Sequence, residues 1–468
     1  MAMNKNELLT SFINNLGKAE TFISSQDNTY RHLYDGSHSF SHQFKSTFFE
    51  KQFTKAVNLS KILVDSYVER IKIRKFKCNT NPDFENLFKA TWRMNNMDMQ
   101  LKLALTDMSI DGAVYATVTK PENSQCIIRF ENSRNLYVEH DPYTFEVSYA
   151  MRLIRDNKGN TIGATEFTMD NIIFWSYVND EWNGQVMPNV YNFIPVVPLV
   201  NMKTLDDIKG RSDVHDVVPL LEQLARIVIT WLISADSVAV PFRILKGLEE
   251  RDFKDEQGEL KNFNRMTTDL TQLFVTGSTE VDLKYIPGAD LRQFNDMYMR
   301  VIKDFLSITG LPAHFAGIVG DIPSSPEGIN AAQGRFDTKV RDKIDVVKSF
   351  INKLVEVIAV IEGFDVKTVY GFDTSFYPPT KQSIATLMNA CAQGVQSGAM
   401  PASYVPEFLM LNDIETQDWE KAWSNIPDKS LQAYQNALTS MVLNDNEDVS
   451  GVSEAFSNPS ERRPSLEL

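Results

Sequence analysis

Cysteine is scarce and poorly placed for chemistry. Cys78, Cys126 and Cys391 form no CxxC pair and no metal-ligand spacing, so they read as separate buried thiols rather than a disulfide framework or a zinc site. The motifs of nucleotide and hydrolytic chemistry are missing as well: there is no Walker A loop, GxGxxG, GxSxG or HExxH. Without the first of these no backbone cradle holds a nucleoside triphosphate, and any directed movement must be driven by a partner. No catalytic residue, cofactor or metal is therefore expected. No apolar run approaches the roughly 18 residues that a membrane-crossing helix needs. The opening MAMNKNELLTSF has neither the basic nor the apolar region of a signal peptide, so the expectation is a cytosolic origin with no membrane. Positive charge is in deficit too: 47 Lys and Arg stand against 61 Asp and Glu, a formal net charge of −14. Proteins that grip nucleic acid gain affinity from clustered cations that release counterions, and this balance excludes tight, static DNA binding by the whole surface.

What is present suffices for more than one structural region. The 468 residues exceed the roughly 250 to 300 at which single cores stop growing. A content of 43% hydrophobic and 23% charged residues places the chain among soluble globular proteins. The chain is organised around 290–363. From Asp290 to Thr309 the residues Leu291, Phe294, Met297, Val301, Phe305 and Ile308 recur every three or four positions, the period of an amphipathic helix. Gly310, Leu311 and Pro312 stop it. From Pro326 to Ile361, Ile329, Phe336, Val340, Ile344, Val347, Ile351, Leu354 and Ile358 share one stripe, and at about 1.5 Å per residue that helix reaches about 50 Å. Between the two, Ala313 to Ser325 holds Gly317, Gly320 and Pro323 and propagates neither helix.

Taken in order, residues 1–75 read as mostly helical, with Leu8, Phe12, Leu16 and Phe22 on a first helix and Asn58 to Arg70 as a second, compact one. Tyr30 to His42 gathers three of the six histidines. His38 and His42 are four apart but lack a third ligand, and the Gly and Ser content predicts a loop without metal. Across Asp111 and Gly112 a helix gives way to strand, the glycine taking the left-handed conformation that ends helices. Strands follow at Gln125 to Glu131, Leu136 to Glu139, Phe145 to Arg155, Thr161 to Met169, Asn171 to Val178 and Gln185 to Tyr191, with a hairpin turn at Asp156 to Asn160. We read 105–200 as one small antiparallel sheet, with a partly closed barrel as the alternative, in which Trp175 and Tyr177 pack. Pro195 to Ser212 reads as a linker, Ser212 as an N-cap, Asp213 and Asp216 as first-turn carboxylates, and Asp206 and Asp207 as solvated. The helix Asp213 to Val238 is apolar over so much of its circumference that it needs cover on more than one side, from neighbouring copies or from a monomeric core. Short strands at Phe242 to Leu245 and Leu273 to Val275 flank a polar stretch. Lys367 to Tyr377 reads as a strand and Thr380 to Ser397 and Pro401 to Leu411 as helices. The polar residues from about Leu443 onward are expected to be disordered.

In order and spacing, several of these stretches resemble the portal proteins of tailed bacteriophages, in the family related to the portal of a Bacillus siphophage. They are LYDGSH, NLSKILVDSYV, WRMNNMDMQLKLALTDMSIDGAVYATV, the pair Gly210 and Ser212, GADLRQFNDMYMRVIKDFLSITGLPAHF and SSPEGINAAQGRFDTKVRDKIDVV, scattered over Tyr30 to Asn425. The resemblance implies an α+β portal fold. Its parts would be an N-terminal wing of helices and antiparallel sheet (1–210), a stem helix (211–238), a β-containing clip (239–289) and a second stem helix (290–312). A tunnel loop (313–325), a long wing helix with a return strand (326–380), a C-terminal helical crown (381–442) and a disordered tail (443–468) would follow. It further implies a ring of about twelve copies at one capsid vertex, with double-stranded DNA passing along the axial tunnel during packaging and ejection. An acidic wall suits a polyanion that must slide rather than stick.

The implied partners are other copies, the DNA, the terminase large subunit, a head-tail connector or neck protein, and the major capsid and scaffolding proteins. The implied location is the virion, with the host cytoplasm during assembly. Gly317, Ile318, Val319, Gly320, Asp321 and Ile322 would face the DNA from the tunnel loop. Arg300 and Lys303 on the second stem helix, and Arg335 and Lys339 on the wing helix, are candidate phosphate contacts, with intersubunit salt bridges as the equal alternative. The chain departs from the simplest family pattern in its short C-terminal part, so the size of the crown does not carry over. The competing reading is a monomeric DNA-processing or other enzyme with a motif-free active site, whose long helices form an ordinary core.

Overall fold

The computed structural model describes residues 5–26, 28–37, 58–121, 124–191, 193–239, 243–246, 273–276, 283–285, 291–318, 326–379, 384–399 and Val405. The chain divides into two compact units, Met1–Ser375 and Phe376–Leu468. Of the second, the described element is a helix at Ile384–Gln396. The predicted helix Pro401 to Leu411, apart from Val405, and the C-terminal tail lie outside the described residues, as do His38, His42 and the polar stretch 248–269.

In the first unit, helix α1 (Lys5–Ser24), α2 (Thr29–Asp35) and α3 (Leu59–Arg70) precede strand β1 (Ile73–Cys78). Asn58 caps α3 by accepting from the Lys61 amide. Helices α4 (Pro82–Met94) and α5 (Met97–Asp111) follow. Asn81 caps α4, whose proline sits in the first turn where no N–H is needed. The strands are then β2 (Ala113–Thr119), β3 (Ile127–Asn132), β4 (Leu136–His140), β5 (Val147–Arg155), β6 (Thr161–Phe167), β7 (Asn171–Val178), β8 (Glu181–Pro188) and β9 (Val196–Val200).

They make two sheets where the sequence reading had one. A five-stranded antiparallel meander runs β4-β5-β6-β7-β8, and a three-stranded sheet runs β3-β2-β9. The smaller sheet is completed by β9, which lies inside the stretch taken for a linker. Val196, Val197 and Leu199 are buried, and β9 pairs with β2 at the sheet edge. There Pro198 costs no ladder bond to a second neighbour. One face of the meander is covered by α1: Phe12, Leu16, Ala19 and Ile23 pack on Met151, Leu153, Ala164, Ile173 and Trp175. Phe12 stacks on Trp175 at 4.0 Å, so Trp175 packs as expected, whereas Tyr177 is 42% exposed. The Asp156 to Asn160 turn is a hairpin turn, with Asp156 accepting from the Lys158 and Asn160 amides.

Helix α6 (Val218–Ala239) starts five residues later than expected, after a 3-10 turn at His215–Val217. Pro219 has no N–H to give, so a regular helical ladder cannot run through it from Asp213. Strands β10 (Arg243–Lys246), β11 (Leu273–Thr276) and β12 (Leu283–Tyr285) form a small sheet, β10 in the centre, parallel to β11 and antiparallel to β12. Helices α7 (Arg292–Thr309) and α8 (Pro326–Glu362) match the predicted long pair. The buried stripe of α7 is Val301, Ile302, Phe305, Leu306 and Thr309, while Met297 and Ile308 of the expected stripe are exposed. The predicted strand Lys367 to Tyr377 resolves into a 3-10 turn at Val366–Val369 and strand β13 (Phe372–Phe376), which pairs with β1. The region Tyr30 to His42, expected to be a loop, begins with α2, closed by Gly36 in the left-handed conformation.

Candidate functional site

The elbow between α7 and α8 is built from its glycines outward. Gly310 ends α7 at φ +75° and donates its N–H to the Leu306 carbonyl at 2.8 Å. The extended Pro312 redirects the chain, Ala313–Ala316 makes one 3-10 turn, and Gly317 closes it at φ +76°. Ile318 then donates its amide to the Ala313 carbonyl. Gly317 and Ile318 thus lie on the elbow. Val319, Gly320, Asp321 and Ile322 lie outside the described residues.

Helix α3, from the other end of the sequence, props this elbow. The Tyr67 hydroxyl donates to the Thr309 carbonyl at 2.8 Å, and its ring stacks on Phe336 of α8 at 5.5 Å. Burial, then the nearby Asp213 charge, pushes the Tyr67 phenol up, so its proton stays in place for that bond. Phe315 meets Phe336 edge to face at 5.4 Å, and the Arg70 guanidinium lies over both rings. Each aromatic pair adds about 0.5–1.5 kcal/mol beyond its buried area.

The four candidate cations differ in their surroundings. Arg300 is 81% exposed, with Asp304 one helical turn on at 3.9 Å. Lys303 and Arg335 are exposed and line an open groove of about 360 Å³ together with His314, over a floor that includes Leu306, Leu311 and Ala332. Lys339 is half-buried and donates to the Ile308 carbonyl at 2.9 Å, where a cation complements the α7 dipole. Burial, then Arg335 and Lys203, lower its pKa. The structure therefore gathers Lys303, Arg335 and Lys339 at the elbow and sets Arg300 further up α7.

Sequence reasoning missed the centre beneath them. Asp213, assigned to a helix first turn, is instead buried, 2.5 Å from Lys343 of α8 and 3.0 Å from Lys203. Asn201 donates to it as well. Burial pushes this carboxyl up, but the two ammonium groups outweigh it and hold the pKa down to about 2. Asp216, the other expected first-turn acid, pairs with Arg211 at 2.7 Å. Ser212 does not cap the helix: its hydroxyl accepts from the Val214 amide at 3.1 Å ahead of the 3-10 turn, and α6 begins only at Val218. The signal for the buried pair was Lys343, a basic residue on the apolar stripe side of α8, one position before Ile344 and one turn before Val347. Beside this centre Gly210 (φ +81°) and Gly112 (φ +92°) touch backbone to backbone.

Among the described residues no three His, Cys, Asp or Glu side chains could hold a metal, and no helix is long and apolar enough to cross a membrane. The class so defined is an α+β protein whose two long helices meet at a glycine-bounded, cation-rich elbow. The family described as phage portal protein, SPP1 Gp6-like, matches residues 51–423, and the chain belongs to that family. It is 28% identical over 300 residues to the portal protein of Mycobacterium phage L5 and 27% identical over 300 residues to that of Mycobacterium phage D29. Each match covers 61% of this chain, which spans 61% of the length of each of these relatives. Among solved structures, a chain from the neck of a native gene transfer agent particle, computed with C12 symmetry, aligns with a TM-score of 0.44 and 13% identity. That alignment covers 83% of this chain and 99% of the other. A chain from the virion of the native gene transfer agent particle aligns with a TM-score of 0.38 and 13% identity, over 80% and 95% of the two chains.

Proposed function

We propose that the chain is one wedge of a portal ring of about twelve copies, a structural conduit for double-stranded DNA at a single capsid vertex and not an enzyme. The observation that carries this is the family match over 51–423. The wing would be 1–210 and the stem α6 and α7. The clip would lie within 239–289, and the crown would be the C-terminal helices. The elbow's loop, 313–325, would point toward the tunnel. Gly317, Ile318, Val319, Gly320, Asp321 and Ile322 are proposed to face the passing duplex. Arg300, Lys303 and Arg335 are proposed to meet phosphates, or the carboxylates of an adjoining copy. Lys339 is bound to the Ile308 carbonyl and would act there mainly through its charge. The acidic chain as a whole keeps the wall from holding DNA fast, and a few cations at one height centre it. The terminase large subunit, a neck or head-tail connector protein, and the capsid and scaffolding proteins are the proposed partners, in the virion and, during assembly, in the host cytoplasm.

The competing reading, a monomeric enzyme, has no sequence motif and, among the described residues, no metal cluster to rest on. The mass of the purified chain in solution separates the two. A chain of 53.2 kDa that forms a ring behaves as a particle many times heavier, and electron micrographs then show annuli with a central hole. A compact singleton under every assembly condition overturns the proposal.

A further inference from the structure

A closed ring of identical subunits joined head to tail needs two different patches on each copy that fit one another. Two strands of the first unit have opposite chemistry and, among the described residues, one unpaired side each. β8 ends the five-stranded sheet and hydrogen-bonds only to β7. Seven of its eight residues are exposed, in the pattern eight residues long that leaves only Trp182 half-buried. It has none of the usual guards of an open edge: no lysine, no bulge, and a proline only at its last position. Val186 and Met187 are 47% and 50% exposed. From 159 to 202 the sequence contains no Lys or Arg at all. Glu181 opens β8, and the exposed Asp170 stands beside its end, where its carbonyl accepts from the Asn189 amide.

The chemistry of β1 is the reverse. Ile71 to Cys78 reads IKIRKFKC, four cations and no acid. It pairs only with β13 in a two-stranded sheet. Phe76 and Cys78 are buried on one side, Phe76 against Phe88 and Trp92 of α4, while Lys72, Lys75 and Lys77 are exposed. Among the described residues none of Lys72, Lys75, Lys77, Asp170 and Glu181 is in an ion pair. The two strands also belong to different layers of the unit. The meander carrying β8 packs through Leu136, Val138, Ala150 and Phe167 on the β3-β2-β9 sheet. Helix α5 lies on that sheet, α4 follows α5, and β1 lies on α4. Complementary strands in different layers of one copy, each with an open side, suit pairing between copies.

We propose that the β8 edge of one copy docks against β1 of the next, an acidic, apolar edge against a basic one, as one of the contacts that closes the ring. This rests on the ring reading above. Main-chain pairing would supply affinity, and the charges would set the partner and exclude β8-to-β8 or β1-to-β1 pairing.

A charge swap in the full-length chain tests it, read by light scattering as the concentration for half-maximal assembly. Asp170→Lys with Glu181→Lys is expected to raise that concentration at least about tenfold, and so is Lys72→Glu with Lys77→Glu, since like charges then face each other. All four positions are exposed, so unchanged circular dichroism and thermal unfolding are expected to show that folding is intact. Combining the four substitutions is expected to restore assembly to within about threefold of the original chain. Double variants that assemble as well as the original, or a fourfold variant that recovers nothing, overturn the docking while annuli of the unaltered chain leave the ring reading standing. An unaltered chain that never assembles overturns both.

Discussion

Two glycine-held junctions position this molecule, and they use the same backbone conformation for different reasons. Where α5 gives way to β2, Gly112 and Gly210 both have positive φ, and a Cβ on Gly112 would meet the Gly210 carbonyl carbon at 2.8 Å. Space, as well as conformation, demands glycine there. At the elbow, Gly317 has positive φ, yet nothing lies within 4 Å of where its Cβ would be. There only the conformation favours glycine. The first junction is wedged shut and seated beside a buried ion centre; the second is open and lined with exposed cations. The contrast separates a joint that transmits position from one that presents side chains.

The largest test of that contrast is Gly210→Ala, whose methyl would enter the Gly112 carbonyl and force both backbones apart. We expect a loss of more than about 4 kcal/mol in urea unfolding of the full chain, seen in practice as little folded protein. Next is Asp213→Asn, which strands Lys343 and Lys203 without their carboxylate. Breaking a buried pair on one side costs about 3 kcal/mol or more, and the same titration measures it. The third is a pH effect of the same group. Its folded pKa of about 2 lies below the unfolded value of about 3.9, so its stabilisation is fully present above about pH 4 and disappears as pH falls through 2. Between those limits the unfolding free energy should drop by about 2 kcal/mol, and a chain carrying Asp213→Asn should lack that component. The smallest effect is expected from Gly317→Ala, about 1 kcal/mol for a left-handed alanine with room around it. If Gly210→Ala proves as mild as Gly317→Ala, the distinction between the junctions fails.

The helices on either side of the elbow were legible because their apolar period is long: the start of α8 and the stop of α7 could be read from Pro326 and from Gly310 to Pro312. The turn at Asp156 was legible from local chemistry alone. What escaped was decided by tertiary partners. The short VVPLV run of β9 has the composition of a linker near its prolines, and only pairing with β2 makes it a strand. Asp213 looks like any first-turn acid until Lys343, 130 positions away, arrives beside it. Pro219 was a visible reason to start α6 late, and it outweighed the capping pattern at Ser212. The grouping of Lys303, Arg335 and Lys339 follows from the helix–elbow–helix geometry, whereas the props Tyr67 and Arg70 come from a distant helix and carry no motif.

Helix α8 is 37 residues long, about 55 Å at the usual rise, and Lys343, which holds Asp213, sits close to its middle. Beyond that point Phe350, Ile351, Leu354, Val355 and Ile358 are buried, and at the last residue the Glu362 carboxylate meets Lys120 at 2.6 Å and the Cys126 thiol at 3.0 Å. A strut clamped at its middle and at its far end has no pivot, so the elbow at its near end is mounted on a fixed beam.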